Sequence, residues 1–372
     1  MFFKRLSAAL KVLLSSFLFL LSSCQSTPTP LPQSSLIIYR FNPPAFVEYS
    51  ADFERVKEIP FSVPLSCALN NTFVAPIGQF LVIELNCPNG QTVLFLDTSA
   101  SLSAGSDSGS ITQPVTDSDS HFLAWTSDGK AAYLKVDSLG NPRVIRAYPE
   151  GARSAFDPVA IDEFTYDLSA KPNSDDIIFT FSRGLSQGSE LWLAPKDTWS
   201  PKQLYADPSN YISFARFSPN GKRIAFIKIP DSATPFTVGE LWVMDADGSN
   251  AHKLADADAG HGYAANWSPD GEQIAFVIRE NPEDENANQS SEALISNIYI
   301  VDIESGELTQ VTEFAEGREG RAETPLWSPA GNTLAFQAVI NGRIKVSIAD
   351  VVTGEIQPLE TEPACCPAWM RK

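Results

Sequence analysis

Few residues in this chain have the types and spacing that chemistry demands. The histidines are His121, His252 and His261. His121 and His261, with Arg321 and Glu323, are the groups to examine for acid, base or anion-stabilising work, since imidazole titrates near neutrality and guanidinium holds developing negative charge. Asp256, Asp258 and His261 offer donors for a cation, but no calcium-loop spacing is matched and a solvated acidic loop accounts for them. Asp245-Ala246-Asp247-Gly248-Ser249-Asn250 is also rich in oxygen, yet it sits where a hairpin needs turn residues. Gly184-Leu185-Ser186-Gln187-Gly188 has the Gly-x-Ser-x-Gly spacing of a serine nucleophile. That elbow requires a strand-to-helix turn, and here strand-like runs flank it on both sides. No catalytic residue, metal or other cofactor is therefore expected, and an enzyme is the less favoured class.

The five cysteines divide into one and four. Cys24 ends a basic head (Lys4, Arg5, Lys11) and a short apolar run from Val12 to Leu21, which is a secretory leader too short to span a bilayer. Leu21-Ser22-Ser23-Cys24 resembles the lipobox of bacterial lipoproteins, which implies cleavage after Ser23 and diacylation of Cys24 with palmitate-type chains; two chains hold a protein on a membrane stably. Residues 24–35, rich in Pro, Ser and Thr, read as a tether that cannot bury apolar area. Cys67, Cys87, Cys365 and Cys366 lack the Cys-x-x-Cys spacing of a zinc site. Outside the cytoplasm they can oxidise in three pairings, among which spacing does not choose. A bridge from Cys67 to Cys87 is sterically reasonable within one structural unit. Cys365-Cys366 would then be a vicinal pair, or one of them would pair across a junction.

The net charge of −18 becomes more negative once the leader takes its three cations. Nucleic acid is not expected as a partner, because phosphate binding needs a basic surface. The same charge opposes adhesion of the protein surface to anionic lipid.

The elements that would position these residues repeat. Trp267-Ser268-Pro269-Asp270-Gly271 recurs as Phe217-Ser218-Pro219-Asn220-Gly221 and Trp327-Ser328-Pro329-Ala330-Gly331, each running into an apolar strand. Weaker copies start near Val74, Trp125 and Leu168, and the chain closes on Pro367-Ala368-Trp369. Anchors at 74, 125, 168, 217, 267, 327 and 369 are 42 to 60 residues apart. Such periods belong to propeller blades. In the clearest unit strand a is Ile212 to Phe217, b is Arg223 to Ile229, c is Glu240 to Asp245 and d is Ala251 to Leu254. The reading is all-β, a single β-propeller of four-stranded antiparallel blades over residues 36–372. The last segment supplies strand a of a blade whose b, c and d are Leu36 to Phe41, Ala45 to Ser50 and Val56 to Phe61. That makes seven blades; six, with an irregular leader, is the alternative.

The Trp-Ser-Pro-Asp-Gly turn, the following Ile-Ala-Phe and the later Trp-Val-Met-Asp-Ala-Asp-Gly-Ser-Asn are similar to the repeats of TolB-type propellers. The resemblance covers residues 120–369 well. It implies an extracytoplasmic, WD-repeat-like scaffold and leaves function open, because such repeats serve binding proteins and peptidases alike. The additional N-terminal domain of TolB has no counterpart here.

Antiparallel order puts the a-to-b and c-to-d turns on one face, and the b-to-c and d-to-a connections on the other. The longer segments, 230–239, 255–263, 280–296 and 313–324, fall mostly on that second face, where binding is expected. His121, Tyr211, His261, Tyr263, Arg321 and Glu323 are the candidate partner-binding residues. Trp192, Trp242 and Tyr299 recur in strand c and are expected to pack between blades. The expected activity is non-enzymatic binding of an envelope protein, peptide or glycan by a monomer anchored through lipid to a bacterial membrane. A hydrolase or lyase with its site in the central channel is the alternative.

Overall fold

The recurring turn is held by its own side chain. In the clearest copy Ser268 N donates to Gln273 O at 2.9 Å and Gly271 N donates to Ser268 O at 2.9 Å. Ser268 Oγ accepts from Gln273 N at 2.9 Å and donates to Asp270 Oδ1. Ser218 repeats the set with Arg223, Gly221 and Asn220, and Thr126 repeats it with Ala131, Gly129 and Asp128. Gly271 closes the turn at φ +76°, where a side chain would be strained. One hydroxyl thus satisfies the turn locally and launches two antiparallel strands.

The computed structural model of the chain describes residues 34–76, 80–99, 111–112, 119–137, 142–156, 164–232, 234–258, 264–315 and 320–371. β1 (Ser34–Phe41), β2 (Pro44–Tyr49) and β3 (Arg55–Pro60) come first. Blade 1 is β4 (Ala68–Val74), β5 (Phe80–Cys87), β6 (Gly90–Asp97) and β7 (Ile111–Thr112). Blade 2 is β8 (Ser120–Trp125), β9 (Ala132–Val136), β10 (Arg143–Ala147) and β11 (Arg153–Ala155). Blade 3 is β12 (Thr165–Ala170), β13 (Ile177–Phe181), β14 (Ser189–Ala194) and β15 (Lys202–Asp207). Blade 4 is β16 (Asn210–Phe217), β17 (Arg223–Pro230), β18 (Val238–Asp245) and β19 (His252–Asp258). Blade 5 is β20 (Asn266–Trp267), β21 (Gln273–Arg279), β22 (Ser296–Asp302) and β23 (Leu308–Gln310). Blade 6 is β24 (Arg321–Trp327), β25 (Thr333–Ile340), β26 (Arg343–Asp350) and β27 (Ile356–Pro358). A lone parallel pair, Ser296 with Arg321, joins blades 5 and 6. The last strand, β28 (Ala364–Arg371), pairs with β1, so blade 7 runs β28-β1-β2-β3 and draws on both ends of the chain.

The described strands therefore make seven sheets of four, and seven hydrophobic cores lie between them. Alternation along each strand feeds two cores at once. Ile274 and Phe276 pack toward blade 4, Ala275 and Val277 toward blade 6. Leu36 and Ile38 pack toward blade 6, Ile37 and Tyr39 toward blade 1. The core between blades 6 and 7 closes the ring. The aromatic anchors also carry polar links, with indole Nε1 of Trp125, Trp267 and Trp369 donating to Phe73 O (3.2 Å), Arg216 O (3.1 Å) and Leu326 O (3.3 Å) of the preceding blade.

The all-β propeller reading holds. Residues 36–61, which a six-bladed ring would leave irregular, lie mostly in β1 to β3. β1 starts at Ser34 rather than Leu36, because Ser34 and Ser35 pair with Arg371 and Met370. β19 reaches Asp258, so the segment expected to be irregular from Ala255 is strand; β18 begins early, and Val238 and Gly239 extend the ladder to Asp258 and Ala257. Likewise Arg321 to Thr324 is strand β24. No helix among the described residues is long and apolar enough to cross a membrane.

Phe226, fully buried between blades 3 and 4, tests whether these cores carry the fold. Phe226→Ala should cost about 3–5 kcal/mol in urea unfolding, while exposed Val352→Ala should stay within about 0.5 kcal/mol.

Candidate functional site

An open depression of about 400 Å³ lies on the face of the long connections, where strands of blades 2, 3 and 4 meet. Its lining comprises Lys135 of β9, Phe164 and Tyr166 at the start of β12, and Ser182 and Gly184 beyond β13. Tyr211 and Ser213 of β16 and Ile229 of β17 complete it.

Backbone and side chain hold this arrangement jointly. The Tyr166 hydroxyl donates to Ile212 O, and its ring meets that of Tyr211 edge-on at 6.2 Å. Ser189 Oγ donates to Asn210 O at 3.0 Å and accepts from Ile212 N at 2.6 Å, fixing the head of β16. Phe164 stands edge-on to Phe181 at 5.5 Å, and the Arg183 guanidinium lies over the Phe181 ring, 4.7 Å from its centroid. Lys135 Nζ donates to Thr165 O at 2.7 Å, which pins the chain between Phe164 and Tyr166. Apart from the tyrosines, Lys135 is the lining residue that ionises.

The Gly184–Gly188 segment is structural. Gly188 takes φ +63°, and a Cβ there would meet Asp207 O at 2.1 Å, so only glycine lets this loop rest on the following connection. Ser182 Oγ donates to Gly188 O at 2.6 Å and accepts from Gly184 N at 3.2 Å. The segment joins β13 to β14, two strands, which disposes of the nucleophile elbow.

The surroundings are balanced in charge. Arg216 Nη1 lies 3.0 Å from both oxygens of Asp167, and Asp167 Oδ2 accepts from Ala215 N at 3.2 Å. Lys228 Nζ meets Asp207 Oδ2 at 2.6 Å and stands 4.2 Å from the Trp242 centroid. Burial opposes both charges of this pair, but the mutual contact prevails and holds the Asp207 carboxyl below the usual range and the Lys228 ammonium above it.

Of the residues expected to bind, Tyr211 lines the depression. His121 is exposed on β8. Arg321 and Glu323 pair with each other, and Arg321 Nη1 donates to Ser291 O at 2.6 Å, so this couple ties β24 to the connection ahead of β22. His261, Tyr263 and Cys24 lie outside the described residues. Asp256 pairs with Lys253 at 2.7 Å, Asp258 is buried, and no group of three His, Cys, Asp or Glu side chains suited to a metal occurs among the described residues. Cys67 is bonded to Cys87, and Cys365 to Cys366. Trp192, Trp242 and Tyr299 pack against the cores between blades 2 and 3, 3 and 4, and 4 and 5.

The longest connection, 280–295, is also well tied. Arg279, 4% exposed, donates to Asn281 O (3.1 Å), Phe236 O (3.2 Å), Asp284 O (3.0 Å) and Asn288 Oδ1 (3.0 Å). Burial pulls its guanidinium down from its ordinary value, against the opposing effect of the Asp258 and Asp284 carboxylates. Asn281 closes the base of the same loop, with Nδ2 to Ala293 O at 2.8 Å and Oδ1 accepting from Ile295 N at 3.0 Å.

Lys135, Phe164, Tyr166, Ser182, Ser213 and Ile229 are the lining residues that sequence reasoning missed. The available signal was positional. They cluster where strands a begin and strands b end, around blade 3, whose turn copy is the most degenerate.

No known protein-family profile matches the chain, and no curated protein matches it by sequence. Solved structures do. A prolyl endopeptidase structure superposes with a TM-score of 0.60 at 9% identity over 90% of this chain and 50% of that one. An oligogalacturonate lyase in complex with manganese gives 0.57 at 14% identity over 88% and 84% of the two chains. A putative TolB from Agrobacterium tumefaciens gives 0.46 at 18% identity over 68% and 84%. The chain thus spans half of the endopeptidase. At these identities the first two likenesses speak for the propeller fold alone, and the third is too distant to argue from.

Burial pushes the Tyr166 hydroxyl up to about 12, above about 10 in an unfolded chain. A folded value above the unfolded one means stability present below about pH 10 and lost as pH climbs toward about 12. Tyr166→Phe should flatten part of that alkaline loss and, with its hydrogen bond gone, cost about 1 kcal/mol at neutral pH. Denaturant unfolding across this range is the measurement, and an unchanged alkaline slope would contradict the assignment.

Proposed function

We propose that this chain is a lipid-tethered, extracytoplasmic propeller that binds an envelope protein, peptide or glycan at the depression on its long-connection face. The observation that supports this reading is the depression itself: three aromatic rings, one aliphatic side chain, two serines and a single lysine gathered from three blades. Binding sites commonly have this makeup, an apolar lining with a few polar groups that orient the ligand. Aromatic faces suit a sugar ring or a peptide side chain, and Tyr211 combines such a face with a hydroxyl.

In the proposed mature form, residues 1–23 are removed, Cys24 carries the acyl chains and residues 25–33 lead to β1. Ser34 pairs with Arg371 at the end of β28, on the face of the short turns. Ser34, where the described residues begin, thus stands on the face opposite the depression. The acidic surface keeps nucleic acid away, and the protein acts as a monomer.

The enzyme reading places chemistry near the channel, with His121, His261, Arg321 and Glu323 as its groups. In the fold Arg321 and Glu323 satisfy each other and a backbone carbonyl. A ground-state ion pair of this kind is better suited to holding a loop than to proton transfer.

Two measurements test the proposal. Glycan and peptide arrays probed with the mature domain should yield a ligand whose affinity drops at least about tenfold in Tyr211→Ala, with Val352→Ala unchanged. Binding indifferent to Tyr211 would reject the depression as the site, and ligand turnover would favour the enzyme. Separately, a host fed radiolabelled palmitate should label the wild type and leave Cys24→Ala unlabelled; labelling that persists in the variant refutes the anchor.

A further inference from the structure

The bond between Cys365 and Cys366 stands at the seam of the ring. β28 is the strand that the chain does not connect through a turn to the rest of its blade; only pairing and packing hold it against β1. Within β28, Cys366 takes φ +60° at a bulge. Phe214 (φ +56°) and Thr324 (φ +49°) take the same conformation three residues before Phe217 and Trp327, just as Cys366 precedes Trp369. The bulge is therefore a feature of the blade type, and in blade 7 alone of these three it carries a covalent clamp.

The peptide group of Cys366 reaches both neighbours. Its N–H donates to Gln337 Oε1 of blade 6, and its carbonyl accepts from Thr72 Oγ1 of blade 1 at 3.1 Å. Cys365 is buried and Cys366 half-buried. Bonds that span both junctions thus hang on the residue whose conformation the clamp restricts.

A disulfide normally stabilises by removing loop entropy from the unfolded chain, and that effect grows with loop length. Cys67–Cys87, separated by 20 residues, fits this description. Cys365–Cys366, separated by one, closes almost no loop. Its effect is local, on the backbone of two residues.

We propose that Cys365–Cys366 is a reversible redox site at which a dithiol reductant controls the stiffness of the ring's seam. One thiolate of the reductant attacks Cys366 Sγ, forming a mixed disulfide, and Cys365 Sγ leaves as a thiolate that takes a proton from water. The second thiol of the reductant gives its proton to water and displaces Cys366 Sγ, which leaves as a thiolate and takes up a proton in its turn. Two electrons and two protons end on the cysteines, and the reductant ends as its disulfide. The freed thiols remain on adjacent residues, so the disulfide form of the reductant, when in excess, closes them again by the reverse exchange and takes back the two electrons and two protons, without any search. When open, the bulge loses its clamp, and the contacts to Gln337 and Thr72 loosen while the cores on either side keep the ring shut.

The test uses the folded mature protein, graded dithiothreitol, alkylation with mass spectrometry, and hydrogen exchange. Alkylation of Cys365 and Cys366 should accompany exchange about fivefold faster at the Cys366 amide, the equivalent of one ordinary hydrogen bond, and reoxidation should restore the slow rate. The Cys67→Ser/Cys87→Ser variant should keep this response, and Cys365→Ser/Cys366→Ser should show fast exchange with or without reductant. If that last variant does not fold, reduction of the wild type still decides. The proposal is overturned if both cysteines resist alkylation at every dithiothreitol concentration that leaves the protein folded, if they are alkylated without faster exchange, or if their reduction unfolds the ring.

Discussion

Every sheet in this protein is apolar on both faces, and that constraint governs the rest. Four short strands cannot shield two apolar surfaces, so each sheet must stand between two others, and a row of sheets would leave its ends wet. A ring removes the ends. The largest fully buried side chains, such as Phe95, Phe179, Phe226, Phe276 and Phe336, are distributed one or so to a blade. Among the described residues the buried clusters lie at the blade junctions, so the pairing of β28 with β1 matters as much as any blade interior.

Blades were legible in the sequence because their turns are local objects. Ser268 hydrogen bonds within five residues of itself, and the hydroxyl, the carboxylate or amide two residues on and the glycine leave a pattern that can be read letter by letter. Closure was legible for the same reason, since Trp369 repeats the anchor of a strand a and its strand pairs with β1. The reach of β19 was not, because Ala255 to Asp258 lacks strong strand formers and is drawn into the ladder by its partner Val238–Leu241.

The depression was the least legible part. Lys135, Tyr166, Tyr211 and Ile229 are up to 94 residues apart in sequence and converge only after three blades have packed. Loop length pointed to the face that carries the depression, but to loops that do not line it. The long 280–295 segment proved to be bound down by Arg279 and Asn281, whose hydrogen bonds to backbone have no sequence signature. Irregularity in the repeat was the better guide, since the depression lies at the blade whose turn copy has drifted furthest.

The polar link between neighbouring blades has two forms here. At three junctions an indole donates to a backbone carbonyl of the preceding blade. Trp327 keeps the anchor without that bond; instead its backbone N–H donates to Asn266 Oδ1 of blade 5 at 3.0 Å. The donor still belongs to the following blade, but it is now backbone and the acceptor is a side chain. Leu168 and Phe217 hold the same place with side chains that have no donor, and the cores around them are intact. The repeat thus tolerates loss of its most visible letter, so units that share little sequence still pack side by side in the same ring.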